Sequence, residues 1–524
     1  MRRRRSDRYR FLAANAKQRH FISAGTRNAQ RMTARDHMTR RRVACLVLLA
    51  TVTMGLGGCR GLVAGNADSN LQSINHIIFM AQENRGFDHY FGAMRQYWAG
   101  HGFPDQSFDG LPQFNPVAGI PPLRGAVPTN PGCDPAFAPP SDCTIDAQSP
   151  AVESFPMVSM CVENPSPSWN EDHVDWNLSH PVSPTPTLNG FVWTAGHDAR
   201  NEGFTDVAGK RAMGYYDENA LPYYYFMASN FATSDRWFMP VMSRTQPNRM
   251  YSLAATSAGH AYPLTEGVLS TKTIFDLLQS AGISWKVYVT DLEYATPPVQ
   301  DSALNMFATA AKYPQNIVPV SQFLTDVANG TLPSVSYIDP GYDSGRDEHP
   351  GLDDGEPGGS VQVGAQYVST LINAFMKSPS WQDSIFILTF DEFGGFYDHV
   401  APQPAVSPDG IKPLDLLKGP PPNGPDICAL STGPTCDFVY TGYRVPLIVI
   451  SPFAKKNYVS HTVSDYTAWL KLVETRFLLP SLTKRDAAQM DMTEFLDFEN
   501  EPWKVPPTPP TQPTNGSCYL DHLP

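Results

Sequence analysis

Charge is scarce in this chain. Asp, Glu, Lys and Arg make up 17% of its 524 residues, and the acids outnumber the bases to give a formal net charge of −12. An acidic balance does not suit a nucleic-acid partner, and the basic residues crowd into the extreme N-terminus. Long apolar runs are missing as well. The one uninterrupted stretch, Val43 to Met54, is shorter than a bilayer-spanning helix needs. There is no internal repeat, nucleotide-binding glycine loop, zinc-type Cys-x-x-Cys or Gly-x-Ser-x-Gly elbow, so the usual signatures of a solenoid, a dinucleotide domain, a structural zinc module and a serine hydrolase are all lacking. What is present is a 42% hydrophobic content, ample for a large core, with 49 Pro and 38 Gly that predict many long ordered loops. The length admits about three domains, but large α/β folds often stay single.

Residues 1–37 are Arg-rich and lack apolar periodicity, and read either as untranslated, with Met38 the true start, or as a disordered segment. From there residues 38–59 have the three parts of an export signal: Arg40 to Arg42, the apolar run, then Leu56-Gly57-Gly58-Cys59. That last group reads as a lipoprotein cleavage box, with Cys59 lipidated and the protein held at the cell envelope; the alternative is an ordinary cleaved signal and a secreted protein. Residues 60–73 read as a polar tether, 74–504 as the folded domain and 505–524 as a Pro-rich strap. Beyond Cys45 and Cys59 there are six cysteines. An even number in an exported chain fits disulfides, with Cys133–Cys143 and Cys428–Cys436 as the local pairings and Cys518 available to pin the strap.

Two stretches organise the rest. In the first, the apolar run Ile77-Ile78-Phe79-Met80 stops abruptly at Gln82-Glu83-Asn84-Arg85. In the second, Ile385 to Phe390 stops at Asp391-Glu392, followed by Gly394-Gly395 and Asp398-His399. A buried strand that ends on a carboxylate and an amide delivers oxygen donors to the carboxyl edge of a sheet, where open α/β sheets bind ligands. If the two strands are neighbours, four hard donors meet at one rim; hard donors suit a divalent cation, and a divalent cation suits phosphate chemistry. Strand and helix patterns alternate from Thr271 onward: a helix to Ala281, a strand at 284–290, another at Val335–Asp339, a helix over Val361–Met376, the acid-tipped strand, a strand at 445–451 and a helix over 467–478. That alternation predicts a mostly parallel central sheet with helices on both faces. Thr245, at the start of a further helix, is read either as an N-cap or as a hydroxyl poised where a helix N-terminus favours an anion.

Taken together, QENRGFDHYFG, TQPNRMY, DEHP, DEFGGFYDHV and RVPLIVISPFAKKNYVSHTVSDYT resemble the bacterial phosphoesterase family that includes phosphatidylcholine-type phospholipases C and acid phosphatases, within the alkaline-phosphatase-like superfamily. The motifs run in the family's order over about 70 to 504. The resemblance implies an α/β alkaline-phosphatase-like fold and hydrolysis of a phosphate ester, such as a phospholipid. It implies metal ligation by Glu83, Asn84, Asp391 and Glu392, with the metal's identity open. It makes Thr245 the nucleophile that is transiently phosphorylated, and His349 or His173 the residue that contacts phosphate or protonates the leaving group; His399 takes either role or supports its loop. Three departures stand out: Gly86 where a Ser or Thr is usual, Phe393 and Tyr466 where histidines are often found. No Cys-x-Pro-x-Arg sulfatase signature occurs. The alternatives are an acid phosphatase and, from another class, a non-catalytic surface-binding lipoprotein.

Overall fold

Strand β1, His76–Gln82, is an apolar run rich in Ile and Phe, and Ile77 to Met80 are fully buried. Strand β6, Ser384–Phe390, is buried at every position. Segments apolar on both sides cannot lie at a solvated edge, and both occupy the middle of an eight-stranded sheet. The other strands are β2 (Ala232–Ser234), β3 (Trp285–Val289), β4 (Ile317–Pro319), β5 (Val335–Asp339), β7 (Leu447–Ile450) and β8 (Tyr458–Ser460). Their order is β8-β2-β7-β6-β1-β5-β3-β4. The five strands β6-β1-β5-β3-β4 run parallel, whereas β7 is antiparallel to both β6 and β2. The computed structural model describes residues 69–115, 125–351, 359–420, 424–520 and 523, all within one compact unit. The Arg-rich start, the signal segment with Cys45 and Cys59, and most of the tether lie outside the described residues.

β1 and β6 pair in register from His76 opposite Ser384 to Gln82 opposite Phe390. The residues that follow, Glu83 and Asp391, therefore leave the sheet side by side. β5, the neighbour on the other side of β1, ends on Asp339.

Helices cover both faces. Phe79 stacks on Trp469 of the helix Ala468–Phe477, with ring centroids 4.7 Å apart. On the opposite face Phe386 meets Phe375 of the helix Val361–Met376. The helix Ile274–Ala281 shows how local sequence fixes an element. Thr273 and Asp276 form a reciprocal capping box at its start, and Gly282 at φ +70° ends it. The three-residue strands β2, β4 and β8 were not visible in the pattern, because so few residues cannot display a period.

Three disulfides tie the loops: Cys133–Cys143, Cys428–Cys436 and Cys161–Cys518. The third joins residues 357 apart in sequence and holds the Pro-rich tail against the body. Gln512 accepts a hydrogen bond from the Tyr223 N–H and donates to the Ala220 carbonyl, a second anchor for the same tail.

Candidate active site

The turn after β1 places Asn84 in the left-handed region, φ 57°, which asparagine tolerates better than most residues. The turn after β6 lies directly on it. A Cβ at Gly394, itself at φ +73°, would sit 2.1 Å from the Asn84 carbonyl oxygen, so only glycine allows the two acid-bearing turns to touch. Gly394→Ala is accordingly expected to cost roughly 1–3 kcal/mol of stability and most of the activity, read by urea denaturation and turnover of a chromogenic phosphate ester. Gly86 packs in the same way: a Cβ there would lie 3.1 Å from the Phe393 carbonyl, so two of the family departures are in contact with each other. The third, Tyr466, donates its hydroxyl to the Asp391 carbonyl at 3.1 Å.

Asp391 braces the two turns. Its Oδ1 accepts the N–H groups of Asn84 and Glu392, and its Oδ2 accepts Arg249 Nε at 3.2 Å. The other three donors are left open. Glu83 Oε1, Asn84 Oδ1 and Glu392 Oε2 are buried and accept no hydrogen bond. Burial, then the charge of Asp391, pushes the carboxyls of Glu83 and Glu392 well above the usual glutamate range. Burial also raises Asp391, against the opposing effect of Arg249. Buried carboxylate oxygens that accept no hydrogen bond among the described residues, beside an amide oxygen, form the hard donor set that a divalent cation takes.

Thr245 opens the helix Thr245–Ala254. It is not the cap: that position is Arg244, and no side chain caps the helix. The Thr245 hydroxyl instead donates to Glu392 Oε1 at 3.4 Å. Pro247 sits in the first helical turn, where its missing N–H costs nothing. Asn248 donates to the carbonyls of Ser243 and Arg244 and so fixes the approach to Thr245. Arg249, one helical turn beyond Thr245, reaches Asp391 and lies 3.7 Å from Glu83. Sequence reasoning missed Arg249, although its i+4 spacing from Thr245 puts both on one helix face.

The DEHP segment is stapled to the first turn. The Glu83 N–H donates to the Asp347 carbonyl, and Arg85 donates through Nε and Nη2 to the Glu348 carbonyl. The Glu348 side chain is held by the hydroxyls of Tyr90 and Tyr224. His349 donates Nδ1–H to the Pro350 carbonyl at 2.7 Å, and its Nε2 has no hydrogen-bond partner among the described residues. Burial lowers its pKa to about 4, helped by the charges of Arg85 and Arg244.

His173 lies in the helix Trp169–Trp176, with Nδ1 2.6 Å from the Trp169 carbonyl and Nε2 3.4 Å from that of Thr435. Its pKa is also lowered to about 4 by burial. Neither ring nitrogen of His173 is bonded to Thr245 or to the four donors among the described residues. Asp172, beside it, is fully buried with both oxygens unbonded, and its charge helps to raise Glu392. His173 and the sulfurs of Cys428 and Cys436 also cluster, but those sulfurs are joined to each other and are not free ligands.

His399 belongs to a separate network. Its Nδ1 is 2.6 Å from Asp88 and its Nε2 3.1 Å from Asp109. The Asp88, Asp398 and His399 group has metal-like spacing, but Arg444 Nη2 fills it, 2.6 Å from Asp398 and 3.2 Å from Asp88. Burial lowers the His399 pKa most; the Asp88 charge and the hydrogen bonds to Asp109 and Asp88 together outweigh it and the Arg444 charge, and hold the ring at about 9. A raised pKa stabilises the fold fully below the unfolded value of 6.5, and that stability fades as pH climbs through about 9. The wild type is expected to lose on the order of 3 kcal/mol between pH 6 and 10 from this group. His399→Gln should remove that dependence, as read by guanidinium midpoints at the two pH values.

The Phosphoesterase family model matches residues 74–480. The chain belongs to this family. It is a hydrolase acting on phosphate ester bonds. Phospholipase C B of Mycobacterium tuberculosis is 30% identical over 93% of this chain and 90% of its own length. Non-specific phospholipase C4 of Arabidopsis thaliana is 29% identical over 79% of this chain and 70% of its own. Non-hemolytic phospholipase C of Pseudomonas aeruginosa is 26% identical over 87% and 62%. Among solved structures, murine ectonucleotide pyrophosphatase / phosphodiesterase 5 overlays 53% of this phosphoesterase and 95% of itself at 11% identity, with a TM-score of 0.31, too slight a likeness to argue from.

Proposed function

We propose that this phosphoesterase is a metal-dependent phospholipase C-type enzyme that works through a phosphothreonine intermediate. The observation that supports this most is the single rim at which Thr245 meets Glu392 among three unbonded buried oxygens. Glu83, Asn84, Asp391 and Glu392 would hold the cation, Asp391 with the lone pairs left after its three hydrogen bonds. A cation bound there supplies positive charge to a pocket of acids and lowers the cost of ionising a neighbouring hydroxyl. Asn84 ligates without adding charge, which keeps the rim attractive to an anionic ester.

Thr245 Oγ1 passes its proton to Glu392 Oε1, the acceptor of its hydrogen bond, and attacks phosphorus in line, forming the Oγ1–P bond as the bond from phosphorus to the leaving alcohol breaks. His349 is the proton donor in this reading, ahead of His173 and His399, whose ring nitrogens face other partners. Its Nε2 is unbonded among the described residues, and an arriving phosphate favours its protonated form. Water then cleaves the phosphothreonine. Export fits the three disulfides, which persist in oxidising compartments. Among the described residues no helix is long and apolar enough to cross a membrane. Lipidated Cys59 would be the anchor in this reading.

The runner-up is an acid phosphatase. A substrate panel decides: phosphatidylcholine and a choline phosphodiester are expected to turn over faster than a simple phosphomonoester. Faster monoester cleavage would assign the enzyme to the phosphatases.

A further inference from the structure

Fourteen large hydrophobic side chains are exposed among the described residues, and five of them, Val406, Ile411, Leu414, Leu417 and Leu430, fall between 406 and 430. Three of the four exposed leucines are here; Leu414 and Leu430 are 70% and 71% exposed. Exposed apolar groups clustered in one loop are unusual on a soluble surface and mark an interaction site.

The acids of this loop are each hydrogen-bonded to the body, although Asp426 is buried, Asp415 half-buried and Asp409 exposed. Asp409 accepts the Thr256 hydroxyl, Asp415 accepts the Ala261 N–H and pairs with His260, and Asp426 accepts the Leu417 N–H and Asn170 Nδ2. Outward, Lys412 is 67% exposed and pairs at the surface with Asp437. Leucines interleaved with the exposed Lys412 and Lys418 complement an apolar layer beneath phosphate-bearing head groups.

The loop is also fastened to the candidate active site from two sides. Leu417 is bonded both ways to Asp426, which holds Asn170, two residues before Asp172 in the helix that faces Glu392. The Leu414 N–H donates to the Gly259 carbonyl, and the Ser243 hydroxyl to that of Ala261, just ahead of Arg244 and Thr245. Cys428–Cys436 closes the far end of the segment.

We infer that the segment 406–418 is an interfacial docking surface, through Ile411, Leu414, Leu417 and Lys412, that seats the active site on a phospholipid bilayer. This rests on the phospholipase C-type reading and adds how the enzyme meets an aggregated substrate. Nothing in the loop is asked to touch the reacting phosphate.

The test compares the soluble enzyme, from residue 60 onward, with its Leu414→Ser/Leu417→Ser variant. Both side chains are at least half exposed, so the fold should tolerate their loss. Binding is read by co-sedimentation with phosphatidylcholine vesicles containing phosphatidylglycerol. Turnover is read on the same vesicles and on a water-soluble choline phosphodiester. The variant is expected to lose about tenfold or more in vesicle binding and vesicle hydrolysis, with soluble turnover unchanged. Unchanged vesicle binding and hydrolysis in the variant would overturn the docking surface and leave the enzymatic reading intact. An equal loss on both substrates would overturn it too, since the leucines would then support the site itself. If the wild type cleaves no phosphodiester, the enzymatic reading fails, and the binding comparison still judges the surface.

Discussion

Thr245→Ala is expected to cut turnover of a chromogenic phosphate ester by roughly 10³–10⁵-fold while leaving the fold in place. The two halves of that expectation have separate causes. The hydroxyl is the only group at the rim proposed to bond to phosphorus, and alanine offers no substitute. Structurally the residue does little. It caps nothing, and its one hydrogen bond, to Glu392, is long at 3.4 Å. Removing a neutral bond of that kind costs about 1 kcal/mol or less. A melting temperature within a few degrees of wild type should therefore accompany the loss of activity. Thr245→Ser, which keeps the oxygen, should retain measurable turnover. Equal rates for wild type and Thr245→Ala would remove the nucleophile assignment.

Glu392→Gln should show the opposite pairing, a nearly dead enzyme whose metal-free form is more stable than the metal-free wild type. In the absence of a cation Glu392 is a buried acid facing Asp391, Asp172 and Glu83, with one oxygen unbonded. An uncompensated buried charge is costly, and an amide of the same shape removes it, for a gain of about 1–3 kcal/mol. With saturating divalent metal the order should reverse, since the wild type gains binding energy that the variant forgoes. The raised pKa values of Glu83 and Glu392 fix the pH sense as well: protons compete with the cation, so metal affinity should fall as pH falls. Thermal melts of both proteins, with metal and with chelator, read all of this. A chelated variant no more stable than the chelated wild type would show that these acids are not under the strain described.

How much of this could be read in advance follows from what each residue's role depends on. β1 and β6 were legible because a strand apolar on both sides is buried in the sheet's interior, and an abrupt stop at Glu83 or Asp391 marks its end. The local disulfides were legible because their partners lie within one loop; Cys161–Cys518 spans 357 residues and required the fold. The histidines were not separable by sequence. His173, His349 and His399 differ in what their ring nitrogens face: a helix carbonyl, the neighbouring Pro350 carbonyl, and a pair of aspartates. Those partners come from segments distant in the chain. Asp172 was hidden for the same reason, since nothing in WNEDHVDW tells which acid turns toward Glu392. Gly394 was visible as a glycine, but its use, to let two turns touch, appears only once β1 and β6 are side by side.

The most direct measurement is a crystal of the manganese-soaked enzyme with anomalous diffraction at the manganese edge. The account predicts one strong peak ringed by Glu83, Asn84, Asp391 and Glu392, with the Thr245 hydroxyl next to it. A peak elsewhere, or none at that rim under saturating metal, would contradict it.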